Sequence, residues 1–127
     1  MYVDTTLMCG VDSMDRGSML DAKTVNNLRS LSLSDTFYAT LVDSYSQSWI
    51  EDLASLQIAI ERHDAEAIRV AAHRMKSASA VLGASKVAQR CAEIEQFGKS
   101  GELSSVAMLV RDLELAHQLT LRELRQL

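Results

Sequence analysis

The 127-residue chain contains no proline, and only five glycines interrupt it. Helices can therefore run long, with few built-in stops. Aromatic residues are scarce, at 5%, while Ala, Leu, Glu, Arg and Gln are plentiful; that combination favours helices over sheet. Two cysteines, Cys9 and Cys91, fit neither a zinc spacing nor a disulfide framework. They suit a reducing cytoplasm, and a cytoplasmic location is expected. The N-terminus lacks a basic start followed by an apolar run, and no apolar stretch approaches the roughly 20 residues of a membrane span. A net charge of −4 and the absence of a basic stripe speak against nucleic acid as a partner.

What is present is helical periodicity in a chain of single-domain length with 47% apolar residues. Residues 1–19 show no sustained period and read as a leader, poorly ordered or loosely docked. The folded domain is expected over 20–127. A short first helix spans about Asp21 to Leu31, with Leu20, Val25, Leu28 and Leu31 as its apolar contacts. Ser34 is a candidate N-cap for a long helix reaching Arg62. Its buried stripe is Tyr38, Leu41, Val42, Tyr45, Trp49, Leu53, Leu56, Ala59 and Ile60. Asp52 interrupts that stripe without an evident reason.

The segment "RHD" breaks the pattern, and Asp64 can cap a third helix from Ala65 to Leu82. Gly83 supplies a left-handed stop. A fourth helix is expected from Ser85 to Phe97, then a turn at "GKSGE", then a fifth helix from Leu103 to Arg125 with Val106, Leu109, Val110, Leu113, Ala116 and Leu124 inward. Four long amphipathic helices with short connections predict an all-α, antiparallel four-helix bundle, with the short N-terminal helix as an addition. Each helix has one apolar face to bury, so a monomer is expected.

The stretch "AAHRMKSASAVLGA" at 71–84 places an imidazole among small and apolar residues. At about 100° per residue, Ile68, Ala71, Ala72, Met75, Ala78, Ser79 and Leu82 share one arc. His73 lies about 160° from the centre of that arc, facing solvent. Arg69 and Lys76 share its side. Ser77 and Ala80 follow one and two turns on, small enough for another protein to approach. A neutral imidazole nitrogen is a good nucleophile near neutral pH. A phosphoryl group on it would bring nearly two negative charges, which Lys76 can stabilise with Arg69 or Arg74 on the flanks. By position alone, an exposed helical histidine such as His73 is most often a solvated surface residue without a task. No phosphate-binding glycine loop or nucleotide pocket is present, so any phosphoryl donor must bring its own chemistry.

The same stretch resembles the core motif of histidine-containing phosphotransfer (HPt) domains, approximately A-H-x-L-K-G-S/A-x-x-x-L/I-G-A. The resemblance continues through "LGASKVAQRCAEIEQFGKSGEL" and covers about residues 20–125. It implies a four-helix bundle that relays phosphoryl groups between aspartates of response-regulator receiver domains, without kinase activity of its own. His73 takes the place of the phosphoacceptor, Lys76 that of the assisting lysine, and Gly83 that of the glycine closing the helix. The usual glycine after the lysine is Ser77 here, which adds a hydroxyl near the phosphoryl site. Val70 and Val81 lie towards this face as an apolar docking patch. The implied partners are receiver domains and a hybrid sensor histidine kinase; Mg²⁺ belongs to the receiver, and the chain needs no cofactor. A kinase's own phosphoacceptor helix has an acidic residue after the histidine and a nearby proline, whereas Arg74 follows here. The starting Met1 fits a free-standing relay.

Other candidates carry less. His63 reads as a loop or cap residue, His117 as a hydrogen-bonded core histidine. Glu114 and His117 form one E-x-x-H, where a di-iron bundle needs two, so no metal site is expected. Glu95 projects towards the core arc and can steady the site from across the bundle, but is expected half exposed at its edge. Cys91 reads as a small buried apolar residue. The competing function class is a helical adaptor that binds a partner without transfer.

Overall fold

Spacing of apolar residues at three- and four-residue steps yields five α-helices among the described residues: α1 Ala22–Leu31, α2 Asp35–Glu61, α3 Ala65–Val81, α4 Ser85–Ser100 and α5 Val106–Arg125. The computed structural model describes residues 18–31 and 35–126, and no strand occurs among them. The candidate cap Ser34 and the leader up to residue 17 lie outside the described residues.

In sequence order, α2 packs on α3, α3 on α4, α4 on α5, and α5 closes the ring against α2. The α3–α4 pair is the most extensive contact. Short turns join successive neighbours, so the four long helices alternate in direction, as expected. The core is built from Val42, Tyr45, Trp49, Leu56 and Ala59 of α2, Ile68, Ala71, Ala72 and Met75 of α3, Val87, Cys91 and Ile94 of α4, and Val106, Val110, Leu113, Ala116 and Leu124 of α5. Leu41, Leu53, Ile60 and Leu109 are partly buried at its margin.

Two corners use the same stop. After α2, Asp64 N donates to Ala59 O (2.9 Å) and His63 N to Ile60 O (3.1 Å); after α3, Ala84 N donates to Ser79 O (2.9 Å) and Gly83 N to Ala80 O (3.0 Å). Both are Schellman closures with a left-handed residue in the middle. That residue is His63 (φ 53°) at the first corner and Gly83 (φ 80°) at the second. Asp64 then caps α3 as expected, accepting from Ala67 N at 3.1 Å.

Helix α1 caps the end of the bundle that holds the α3–α4 corner. Asp21 N donates to Gly83 O at 2.6 Å, and Val25 is buried there. A Cβ on Gly83 would meet Val25 Cγ2 at 3.0 Å and Asp21 O at 3.2 Å, so the glycine is required by space as well as by φ. Ser18 and Met19, the last residues of the expected leader, are docked: Ser18 Oγ and Met19 N both donate to the Glu123 carboxylate, at 2.8 and 2.9 Å.

Two boundaries differ from the sequence reading. Helix α4 runs through Gly98 and Lys99 to Ser100, and its left-handed stop is Gly101 (φ 78°). Gly98 is a packing glycine: a Cβ there would sit 2.8 Å from Arg69 N and 3.0 Å from Ala65 O. Helix α5 begins at Val106, three residues later than expected.

His117 is buried as expected, but is not held by a hydrogen bond at its outer nitrogen. It stacks on Trp49 with ring centroids 3.8 Å apart and planes within 2°, and Nε2 has no hydrogen-bond partner among the described residues. Burial lowers its pKa to about 4.

Candidate functional site

Helix α3 presents its core arc inward, which turns His73 outward between α3 and α4. Its side chain is 54% exposed, as the helical wheel requires. Met75 below it is fully buried, and Ser79 shares a buried 2.8 Å hydrogen bond with Tyr45 Oη of α2. The imidazole therefore stands on a helix fixed from beneath.

The group that organises the site comes from α4. Glu95 Oε2 lies 3.0 Å from His73 Nδ1, and Glu95 Oε1 lies 2.6 Å from Lys76 Nζ. Lys99, one turn further along α4, approaches Glu95 Oε2 at 4.0 Å. The Glu95 side chain is only 6% exposed, which corrects the expectation of a half-exposed residue at the bundle edge. A buried carboxylate needs charged or hydrogen-bonding partners, and it finds them in His73 and Lys76. The Lys76 ammonium hydrogen-bonded to it holds its pKa below the usual carboxylate range; burial opposes this, and His73 adds to it.

An ionised carboxylate only accepts. Nδ1 of a neutral His73 must therefore carry the proton and donate it to Glu95, which leaves the Nε2 lone pair free. The carboxylate also balances positive charge on the ring. This is the geometry of an oriented nucleophile: one ring nitrogen anchored, the other available.

The remaining sequence candidates are distributed around this centre. Arg69 makes a two-pronged contact with Glu66 through Nε and a terminal nitrogen. Arg74 Nε donates to Asp52 Oδ1 at 3.1 Å, which explains the acid in the α2 stripe: it ties α2 to α3 one residue after His73. Ser77, Ala80, Val70 and Val81 are exposed, with Val81 open at 63%. Lys99 was missed because the sequence reading ended α4 before it. Two lysines against one carboxylate leave the site with an excess of positive charge, since both arginines are already paired.

Elsewhere, Cys91 is buried and its thiol is pushed up to about 12 by burial, which makes it a packing residue rather than a nucleophile. Glu114 lines a shallow groove of about 450 Å³ between α2 and α5 with Gln57, Glu61 and Arg111, away from His73. No cluster of His, Cys, Asp or Glu suited to a metal ion occurs among the described residues. None of the described helices is long and apolar enough to cross a membrane.

A family model described as "Hpt domain" matches residues 40–126, which spans most of α2 and all of α3, α4 and α5. The chain belongs to the Hpt domain family. No curated protein matches it. Among solved structures, histidine-containing phosphotransfer protein B (HptB) from Pseudomonas aeruginosa PAO1 is similar, at 29% identity and a TM-score of 0.79, covering 85% of this chain and 92% of that one. The helical bundle with an additional N-terminal helix is thus an Hpt fold, and the protein is a histidine phosphotransfer protein of the phosphorelay type. Hpt proteins are phosphoryl carriers.

Proposed function

We propose that His73 is the phosphoacceptor, and that this Hpt protein passes the group between aspartates of response-regulator receiver domains. The observation that carries the reading is the His73–Glu95 contact of 3.0 Å at Nδ1 on a ring that is half exposed. In the forward step, Nε2 attacks the phosphorus of a receiver's aspartyl phosphate. The N–P bond forms as the P–O bond to the aspartyl carboxylate breaks, and that carboxylate leaves with the electron pair. The ring becomes cationic, with Nδ1–H held on Glu95. The reverse step, on a second receiver, returns the lone pair to Nε2.

Lys76 spends one of its three donors on Glu95; the other two are free to meet phosphoryl oxygens. Catalysis is then positioning and charge neutralisation rather than covalent chemistry beyond the ring. The receiver docks over the outer faces of α2 and α3. There Ser77 and Ala80 leave room, Val70 and Val81 offer apolar contact, and Arg69 and Arg74 flank the site. A receiver of a hybrid sensor kinase fits as donor, and the receiver brings its own Mg²⁺.

The test is a panel of phosphorylated receivers incubated with the full chain. Acid-labile label should appear on the chain and be absent from His73→Gln. Tight binding of a receiver with no label would instead favour an adaptor.

A further inference from the structure

Several hydrogen-bond donors surround His73, and each charged one already has a carboxylate partner, although Lys76 keeps two donors free. Arg69 is held by Glu66 and Arg74 by Asp52. Lys76 is bound to Glu95, with Lys99 beside the same carboxylate. Ser77 differs. It is exposed, four residues after His73 on the same face of α3, and its hydroxyl has no hydrogen-bond partner among the described residues. The exposed Ser44 and Ser55 of α2 are unbonded like Ser77, but other helical hydroxyls turn back on the backbone: Thr40 to Thr36 O (2.8 Å), Ser46 to Val42 O (3.0 Å) and Thr120 to Ala116 O (2.7 Å). That is the usual resting place of a helical hydroxyl. Ser77 does not take it, although the His73 carbonyl is the acceptor one turn back.

On the reading that His73 accepts the phosphoryl group, we propose that Ser77 is a ligand of that group, its O–H donating to a phosphoryl oxygen on Nε2. Side chains on a helix lean towards its N-terminus, so the Ser77 Cβ inclines towards the turn that holds His73. A phosphoryl oxygen is an anionic acceptor, for which an O–H donor makes a short, charge-assisted bond. The glycine that the resembling motif carries at this place offers none. Cleavage of the N–P bond proceeds with electron density moving from the phosphoryl oxygens into a loose, metaphosphate-like transition state. A donor on those oxygens withholds that density. Ser77 thereby lengthens the life of the phosphohistidine and shifts the phosphoryl equilibrium from a receiver towards this chain. No bond to Ser77 forms or breaks.

The experiment uses the full chain, phosphorylated by phosphoramidate so that no receiver contact contributes. The phosphohistidine half-life is followed for the native protein and for Ser77→Ala, Ser77→Gly and Ser77→Thr. Ala and Gly should both shorten it by about tenfold, the effect of one hydrogen bond to a charged group, and Thr should keep it near native. Helix propensity moves Ala and Gly in opposite directions, so a merely structural role would separate the two. Equal half-lives in all four proteins overturn the role of Ser77 alone. A native chain that takes no label on His73 from phosphoramidate or from a receiver overturns the phosphotransfer reading itself.

Discussion

Glu95 touches His73 with one oxygen and Lys76 with the other, at 3.0 and 2.6 Å. One buried carboxylate thus sets the ring's tautomer, fixes its orientation and positions the ammonium beside it. Outer partners that orient a metal-binding histidine are worth roughly 10–100-fold, and a similar orienting role is assigned to Glu95 here. In Glu95→Ala, phosphoryl uptake from a receiver should fall by about tenfold or more. The imidazole ¹⁵N shifts of His73 should move from the Nδ1–H form towards a mixture of tautomers. Unchanged nitrogen shifts in this variant would show that Glu95 does not set the tautomer.

The crossing of α4 on α3 rests on Gly98, whose missing Cβ lets the chain approach the Arg69 backbone. Gly98→Ala gains about 1 kcal/mol of helix propensity, but places a methyl 2.8 Å from Arg69 N, where backbone must shift. Overpacking of this sort costs roughly 1–3 kcal/mol, so a net loss of stability in urea is expected. Because Glu95 sits one turn before Gly98, phosphoryl uptake should fall as well. Gly101→Ala is the control: nothing lies within 4 Å of its added Cβ, and only the left-handed φ of 78° is strained. Its cost should be about 1–2 kcal/mol, without effect on uptake.

Gly98 also shows where the sequence is legible and where it is not. Periodicity alone places α2, the core arc of α3 and the outward turn of His73, because these depend on spacing within one helix. The left-handed stop at Gly83 is readable for the same local reason. Gly98 is not, since a glycine that permits close packing and one that ends a helix look alike until the neighbouring helix is known. Reading it as a turn removed Lys99 from the site. Glu95 and Asp52 are opaque for a related cause: each is an acid near a core stripe, satisfied by a partner 22 residues away on another helix. Only the register between helices reveals that partner. The family motif supplies His73 and Lys76, but does not say that Glu95 occupies part of the lysine.

His63 occupies the left-handed position of a corner that is otherwise built like the one at Gly83. A residue with a Cβ pays roughly 1–2 kcal/mol there, which glycine avoids. The residue is exposed, so little packing is lost on truncation. His63→Gly should raise stability by up to about 1 kcal/mol once the extra unfolded-state entropy of glycine is subtracted. Chemical denaturation at constant m-value checks this, and phosphoryl uptake should be unaltered because the corner lies away from Glu95.

His117, stacked on Trp49 in the α2–α5 interface, makes stability depend on pH. Its folded pKa of about 4 lies below the ordinary value of 6.5. The unfolded chain therefore takes up a proton first as pH falls. Stability is fully present above about 6.5, declines as pH drops towards 4, and levels off once the folded protein is protonated as well. The full shift corresponds to on the order of 3 kcal/mol. Glu95 acts in the same direction but lower: its contribution is present above the usual carboxylate range and is lost as pH falls from that range towards its depressed folded pKa. His117→Phe keeps an aromatic ring against Trp49 and removes both the proton site and the unpartnered Nε2. It should be at least as stable as the native chain at pH 7 and lose much less between pH 6.5 and 4.5. Urea midpoints at those pH values measure the difference. Parallel acid limbs in the two proteins would mean that the buried imidazole is not the source of the pH dependence.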